Sequence, residues 1–254
     1  MVTTMESAEN SGGTMLDTFD VADLFRRCDP DGYADARRRF YRAVNMNPFK
    51  KHPEAMLRMI EWSFCDWLAF DCAVDPSSTD ADDVDGAPRF RMRRGKEPGE
   101  SPYLATAKRL YDCDRINAAQ LDDMREMDST NFVSVFWITD AEAVRSRMKV
   151  EDLMHGGEYE LLSAPDAAKY DGAHGGVIVN RIARVRGAWR PCAIAIYEAR
   201  RPDTKRTRNA LAGIFGPKGY HPDFPGLLRL FYGRARDIGL DWEDLSMLLG
   251  AGAR

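Results

Sequence analysis

Nine lysine and arginine residues stand between Val177 and Arg208, with only Glu198 and Asp203 to oppose them. Arg181, Arg184, Arg186 and Arg190 fall on a strand-like stretch and its turn. Arg200, Arg201, Lys205, Arg206 and Arg208 follow it directly. Trp189 and Tyr197 add flat rings that can stack. Clustered guanidinium groups beside aromatic rings suit phosphates or carboxylates, so this segment is a candidate surface for nucleic acid or an acidic protein segment. The competing reading is internal: these arginines pair with the chain's own aspartates, five of which lie between Asp75 and Asp85.

A second group of chemically capable residues lies on an apolar stretch, where Glu61, Asp66 and Asp71 interleave with Trp62, Trp67 and Phe70. On a helix Asp66 and Asp71 are about 140° apart, so alone they make no carboxylate pair. An enzyme with a carboxylate site around Asp66 and Asp71 needs a distant partner to complete it. Pairing of the acids with arginine is the structural alternative.

Other motifs carry less. His155-Gly156-Gly157 and His174-Gly175-Gly176 could line an oxyanion hole, but the sequence has no G-x-S-x-G nucleophile turn, and glycine-dependent turns explain both. The four histidines never take H-x-x-x-H spacing, so no zinc motif is present and no metal or other cofactor is expected. Gly213 to Gly219 lacks the G-x-x-x-x-G-K-[ST] order of a phosphate loop. Cys28, Cys65, Cys72, Cys113 and Cys192 are scattered without C-x-x-C pairs, which fits reduced, mostly buried thiols. No catalytic residue is assigned.

The elements that must position these groups follow from periodicity and punctuation. Asp17 or Thr18 caps a short first helix, Asp29-Pro30-Asp31-Gly32 breaks it, and a second helix runs to Val44. His52-Pro53-Glu54 opens a third helix, apolar over most of its circumference and therefore central. Residues 75–100 hold no hydrophobic period and read as a long mobile loop. Ser101-Pro102 starts a fourth helix extending to about Met127. From Asn131 the texture turns β-branched and aromatic: Phe132 to Ile138, Val144 to Leu153, Tyr159 to Leu162, Val177 to Val185 and Trp189 to Tyr197. Five short strands in so few residues imply a small barrel, which leaves no exposed sheet edge.

The third helix, Phe64-Cys65-Asp66-Trp67-Leu68-Ala69-Phe70-Asp71, resembles a pattern in a family of uncharacterised bacterial proteins, an F-x-E-W-x-x-F-D helix ahead of a small β-rich segment. Met148 to Leu153, Gly157 to Leu162 and Asn180 to Trp189 resemble that family's later strands. Asp66 replaces the glutamate of the pattern. Some relatives carry a C-terminal SEC-C zinc knuckle, which this chain cannot form because no cysteine follows Cys192. The resemblance spans about residues 56–197 and implies architecture without an activity.

The totals bound the rest. With 254 residues, 44% hydrophobic and 30% charged, the chain can bury a substantial core. No apolar run reaches the ~20 residues of a membrane span, and the first fifteen residues have no apolar signal region. A cytoplasmic location without membrane contact is expected. The fold class expected is α+β: a tail over 1–16, a helical part over 17–128, a five-stranded SH3-like or related barrel over 131–199, and a basic linker with short C-terminal helices over 200–254. The expected function is a non-enzymatic binding module using the barrel's basic face.

Overall fold

The computed structural model describes residues 13–46, 51–75, 91–92, 99–200 and 205–231. The chain divides into two compact units, a helical one formed by residues 1–43 and 58–130, and one formed by residues 44–57 and 131–254.

Among the described residues, five helices make up most of the first unit, the last residue of α2 and the first four of α3 falling in the second: α1 (Thr18–Cys28), α2 (Pro30–Val44), α3 (Glu54–Asp71), α4 (Pro102–Asp112) and α5 (Ala118–Thr130). Asp17 accepts from the Phe19 amide at the head of α1, and Asp29 accepts from the Gly32 amide where α2 begins. Along α3, Ile60, Phe64 and Leu68 are fully buried, as its broad apolar surface implies. Phe64 lies 5.3 Å from the Tyr33 ring and 5.5 Å from Phe40.

Three expectations for this unit are corrected. The helix beginning at Ser101 breaks after Asp112, where Asp114 takes a left-handed φ of 54° and Asn117 caps α5 through the Gln120 amide. Thr14 and Leu16, placed in the tail, are tied down: the Thr14 amide donates to Asp123 at 3.0 Å and the Leu16 amide to the Tyr103 hydroxyl at 3.1 Å. Met92, within the expected mobile loop, forms an antiparallel bridge with Val74 just before it, and the Met92 amide donates to Asp29 at 2.8 Å. The remainder of that loop, 76–90 and 93–98, lies outside the described residues, as do residues 1–12 of the tail.

Among its described residues the second unit holds six strands: β1 (Phe132–Glu142), β2 (Arg147–Asp152), β3 (Glu158–Leu162), β4 (Gly176–Val185), β5 (Ala188–Pro191) and β6 (Tyr197–Arg200). Their order is β1-β2-β3-β5-β4, with β4 returning to β1, so five strands close into a barrel. β6 pairs with the first half of β4, on the edge that β5 occupies further along. The expected fifth strand is thus present but interrupted between Pro191 and Tyr197. The register of β1 shifts between Ile138 and Asp140, a bulge that bends the strand so that its start pairs with β4 and its end with β2.

A helix, α6 (Ala164–Lys169), lies between β3 and β4, and Tyr170 and Ala173 after it join the barrel's interior cluster. The parallel β3–β5 pairing and the helix between β3 and β4 make this a Greek-key barrel of the OB arrangement. It meets the expectation of a small five-stranded barrel while differing from an SH3-like order. β4 is buried on both faces, apart from Arg184, so seven of its ten residues are apolar and no strict alternation appears.

The expected basic linker after residue 200 is also corrected. Lys205–Phe215 is helix α7, followed by α8 (Phe224–Phe231). Tyr197 stacks on Phe231 with ring centroids 4.9 Å apart, and Phe231 stacks on Phe215. These helices thereby cover the side of β6 that faces away from the barrel interior. Gly216 and Gly219 close the C-terminal end of α7, where an added Cβ would stand 2.4 Å and 2.2 Å from backbone oxygens. That loop is a helix stop following a helix, not a phosphate loop following a strand. Residues 232–254, where the expected C-terminal helices would continue, lie outside the described residues.

Candidate functional site

One end of the barrel gathers the start of β1, the β2–β3 loop and the β4–β5 turn. Phe132, Tyr159 and Trp189 meet there, each only part-buried. Trp189 stands edge-on to Tyr159 at 5.1 Å and to Phe132 at 5.8 Å, and Phe132 lies 5.5 Å from Tyr159. Burial, followed by the nearby Asp152 charge, raises the Tyr159 pKa, so its hydroxyl stays protonated at neutral pH.

Strand pairing brings cationic groups to these rings. Arg184 is directly opposite Trp189 across the β4–β5 ladder, so both side chains share one face, and Arg184 is exposed. Arg186 and Gly187 form the connecting turn with φ of 51° and 74°. A two-residue turn with two positive φ values fits the strand twist, and glycine meets that requirement freely while Arg186 occupies the other left-handed position. Arg186 is exposed. Arg190 pairs with Ala183 on the opposite face and is part-buried.

The rest of the expected basic face disperses. Arg181 is 2% exposed, donates to Asn131 Oδ1 at 2.6 Å and lies 5.1 Å above the Phe224 ring. It joins strand to helix and cannot contact a partner. Arg208 donates to both carboxylate oxygens of Glu151, with its Nε at 2.5 Å. This pair draws the first turn of α7 to the same barrel end, because Glu151 adjoins Asp152 at the end of β2. Lys205 and Arg206 are exposed in that turn. The Arg200 side chain and Arg201 lie outside the described residues.

Sequence reasoning missed the group that shapes the β2–β3 loop. Asp152 is buried and accepts from the Ser134 hydroxyl, from the Met154 and His155 amides at 2.8 and 3.0 Å, and faces His155 Nδ1 at 3.1 Å. A buried carboxylate needs such donors, and here they fold the loop around it. The signal lay in an aspartate three residues ahead of His155-Gly156-Gly157, where glycine takes φ of 81° and 103°.

The outer surface of β2 and β3 has the opposite charge balance. Arg147 is held by Glu142, by Glu160 at 3.1 Å and by Asp140 at 3.7 Å. Lys149 and Glu158 are exposed, and Glu151 is taken by Arg208. In OB barrels generally this face receives oligonucleotides. Here its acids outnumber its bases.

On the motif helix, Asp66 is buried and Asp71 exposed, so the two carboxylates do not meet. Trp67 packs 5.4 Å from Phe40 with Arg39 over its ring, and Phe70 stacks on Tyr103 at 4.6 Å. These are packing roles. Burial pushes the Cys65 and Cys72 thiols up to about 12, which keeps them protonated and unreactive. Among the described residues no three or more His, Cys, Asp or Glu side chains gather as a metal site, and no helix is long and apolar enough to cross a membrane. Comparison with protein-family models, curated proteins and solved structures finds no match to this chain.

Proposed function

We infer that the second unit is a non-enzymatic module that binds single-stranded nucleic acid at the β4–β5 end of its barrel. The observation that carries this reading is the cross-strand pairing of exposed Arg184 with Trp189, whose ring belongs to a part-buried cluster with Tyr159 and Phe132. A strand with unpaired bases offers both groups a complement: phosphates for Arg184 and Arg186, and flat base faces for the ring cluster. A duplex hides its base faces and would use the cations alone.

The α7 terminus supports the reading. Lys205 and Arg206 stand in a first turn that contains no acid, where the helix dipole disfavours cations. A phosphate nearby relieves that repulsion. The Greek-key barrel adds a fold-level analogy only, and the acidic outer surface of β2 and β3 argues for the end of the barrel over that face. The burial of Arg181 and the Arg208–Glu151 pair reduce the cationic surface to fewer residues than the sequence implies.

Fluorescence anisotropy with a labelled mixed-sequence single strand at low salt tests the proposal. Binding that weakens steeply with salt, and that unlabelled single strand displaces better than duplex, is the expected result. Displacement by polyglutamate at equal charge would reassign the surface to acidic protein segments. No binding at micromolar protein would overturn the reading.

A further inference from the structure

His155 and His221, far apart in sequence, come together beside the barrel end with ring centroids 6.0 Å apart. Each has one ring nitrogen committed to an acceptor. His155 Nδ1 faces the buried Asp152 carboxylate at 3.1 Å, and His221 Nε2 faces the Gly216 carbonyl at 2.9 Å. A carboxylate and a carbonyl can only accept, so in the neutral rings those nitrogens carry the protons. The lone pairs are thereby left on His155 Nε2 and His221 Nδ1. Fixing a histidine's outer nitrogen on a carboxylate or backbone carbonyl is the arrangement that orients metal-binding imidazoles and strengthens their basicity.

We propose that His155 and His221 together bind a divalent transition ion of the zinc, nickel or copper class. Imidazole selects these ions over magnesium or calcium. With metal–nitrogen bonds of about 2.0–2.1 Å, two imidazoles on one tetrahedral ion have centroids about 5.2 Å apart, so the rings close by roughly 0.8 Å on binding. Both histidines are accessible, His155 with 48% of its side chain exposed, and both sit in loops that can make this adjustment. Water completes the coordination, since no third protein donor joins them among the described residues. Asp152 acts as a positioning residue through His155. Phe132 packs edge-on to the His155 ring at 5.7 Å. The ion would bridge the β2–β3 loop to the α7–α8 loop.

The test uses the full chain and metal alone, so its result is independent of any nucleic-acid binding. Calorimetric titration with Ni²⁺ and with Zn²⁺ should give one site per chain. Affinity should fall at least about tenfold in His155→Ala and in His221→Ala, and stay unchanged in His174→Ala, an exposed histidine elsewhere on the barrel. In the unaltered chain, substoichiometric Ni²⁺ should broaden the imidazole NMR signals of His155 and His221 ahead of those of His52 and His174. No binding, unchanged affinity in folded His155→Ala and His221→Ala, or equal broadening of all four histidines would each overturn the proposal.

Discussion

Arg184 lies directly across the β4–β5 ladder from Trp189, and a turn of only two residues, Arg186 and Gly187, separates their strands. The register therefore sets a cation beside a ring whose other neighbours, Tyr159 and Phe132, hold it edge-on. Replacing Trp189 with leucine keeps an apolar side chain in the cluster but removes the stacking face. Affinity for a single strand should fall by about 1–3 kcal/mol, the usual contribution of one stacked base, in anisotropy measured well below the variant's melting temperature. Unchanged affinity would place the bases elsewhere.

The outer surface of β2 and β3 offers a direct contrast. Lys149 is exposed there among Glu142, Glu158 and Glu160. Lys149→Ala should leave both the affinity for single strands and its salt dependence unchanged. A shallower salt slope by about one unit would mean that this lysine contacts phosphate and that the strand runs over the β2–β3 face.

Asp152 organises the loop between those strands. In Asp152→Ala, the Ser134 hydroxyl and the Met154 and His155 amides lose their acceptor, and each such group costs about 1–3 kcal/mol where it stays buried. Urea unfolding should show a loss of several kcal/mol. Ser134→Ala, which removes one donor and leaves the others, should cost about 1 kcal/mol. Equal effects from the two variants would contradict the loop's dependence on the carboxylate.

The helical unit should respond to acid through Glu61. Burial raises the pKa of this carboxyl, but hydrogen bonds from Arg37 at 2.8 Å and Tyr41 at 2.6 Å, with the Arg37 charge, bring it below the ordinary value of 4.5. A folded-state pKa below the unfolded one gives stability that is complete above pH 4.5 and lost as pH falls through the lower folded value. Glu61→Gln should therefore be less stable than the unaltered chain at pH 6, with the difference shrinking on acidification. A difference independent of pH would refute the ionic origin of the contribution.

Much of the architecture could be read in the sequence because local signals agreed with the tertiary outcome. The proline and acid at Pro53-Glu54 and the dense apolar face from Met56 to Phe70 define α3, and five β-branched or aromatic runs define the barrel. The misses have physical causes. The segment Lys205–Phe215 carries five cationic or polar residues before its first apolar one, so a basic start that opposes the dipole masks its helical period. The break in the 101–127 helix rests on Asp114 taking a left-handed conformation, which no glycine announces.

The candidate site was readable only in part. Spacing alone placed Arg184, Arg186 and Trp189 near a turn. It could not separate them from Arg181, whose position on the covered side of β4 depends on where α8 packs. Phe132, Tyr159 and His155 join the site through barrel closure, a long-range pairing that no local pattern reports.

The most direct test removes the two exposed arginines without disturbing the turn. Arg184→Gln with Arg186→Asn deletes both charges, and asparagine tolerates the left-handed φ at residue 186. The measurement is the slope of log affinity against log salt concentration for a single strand. The double variant should bind more weakly, with a slope shallower by roughly 1.4 if each arginine neutralises one phosphate. A slope and affinity equal to those of the unaltered chain would contradict binding at the β4–β5 end.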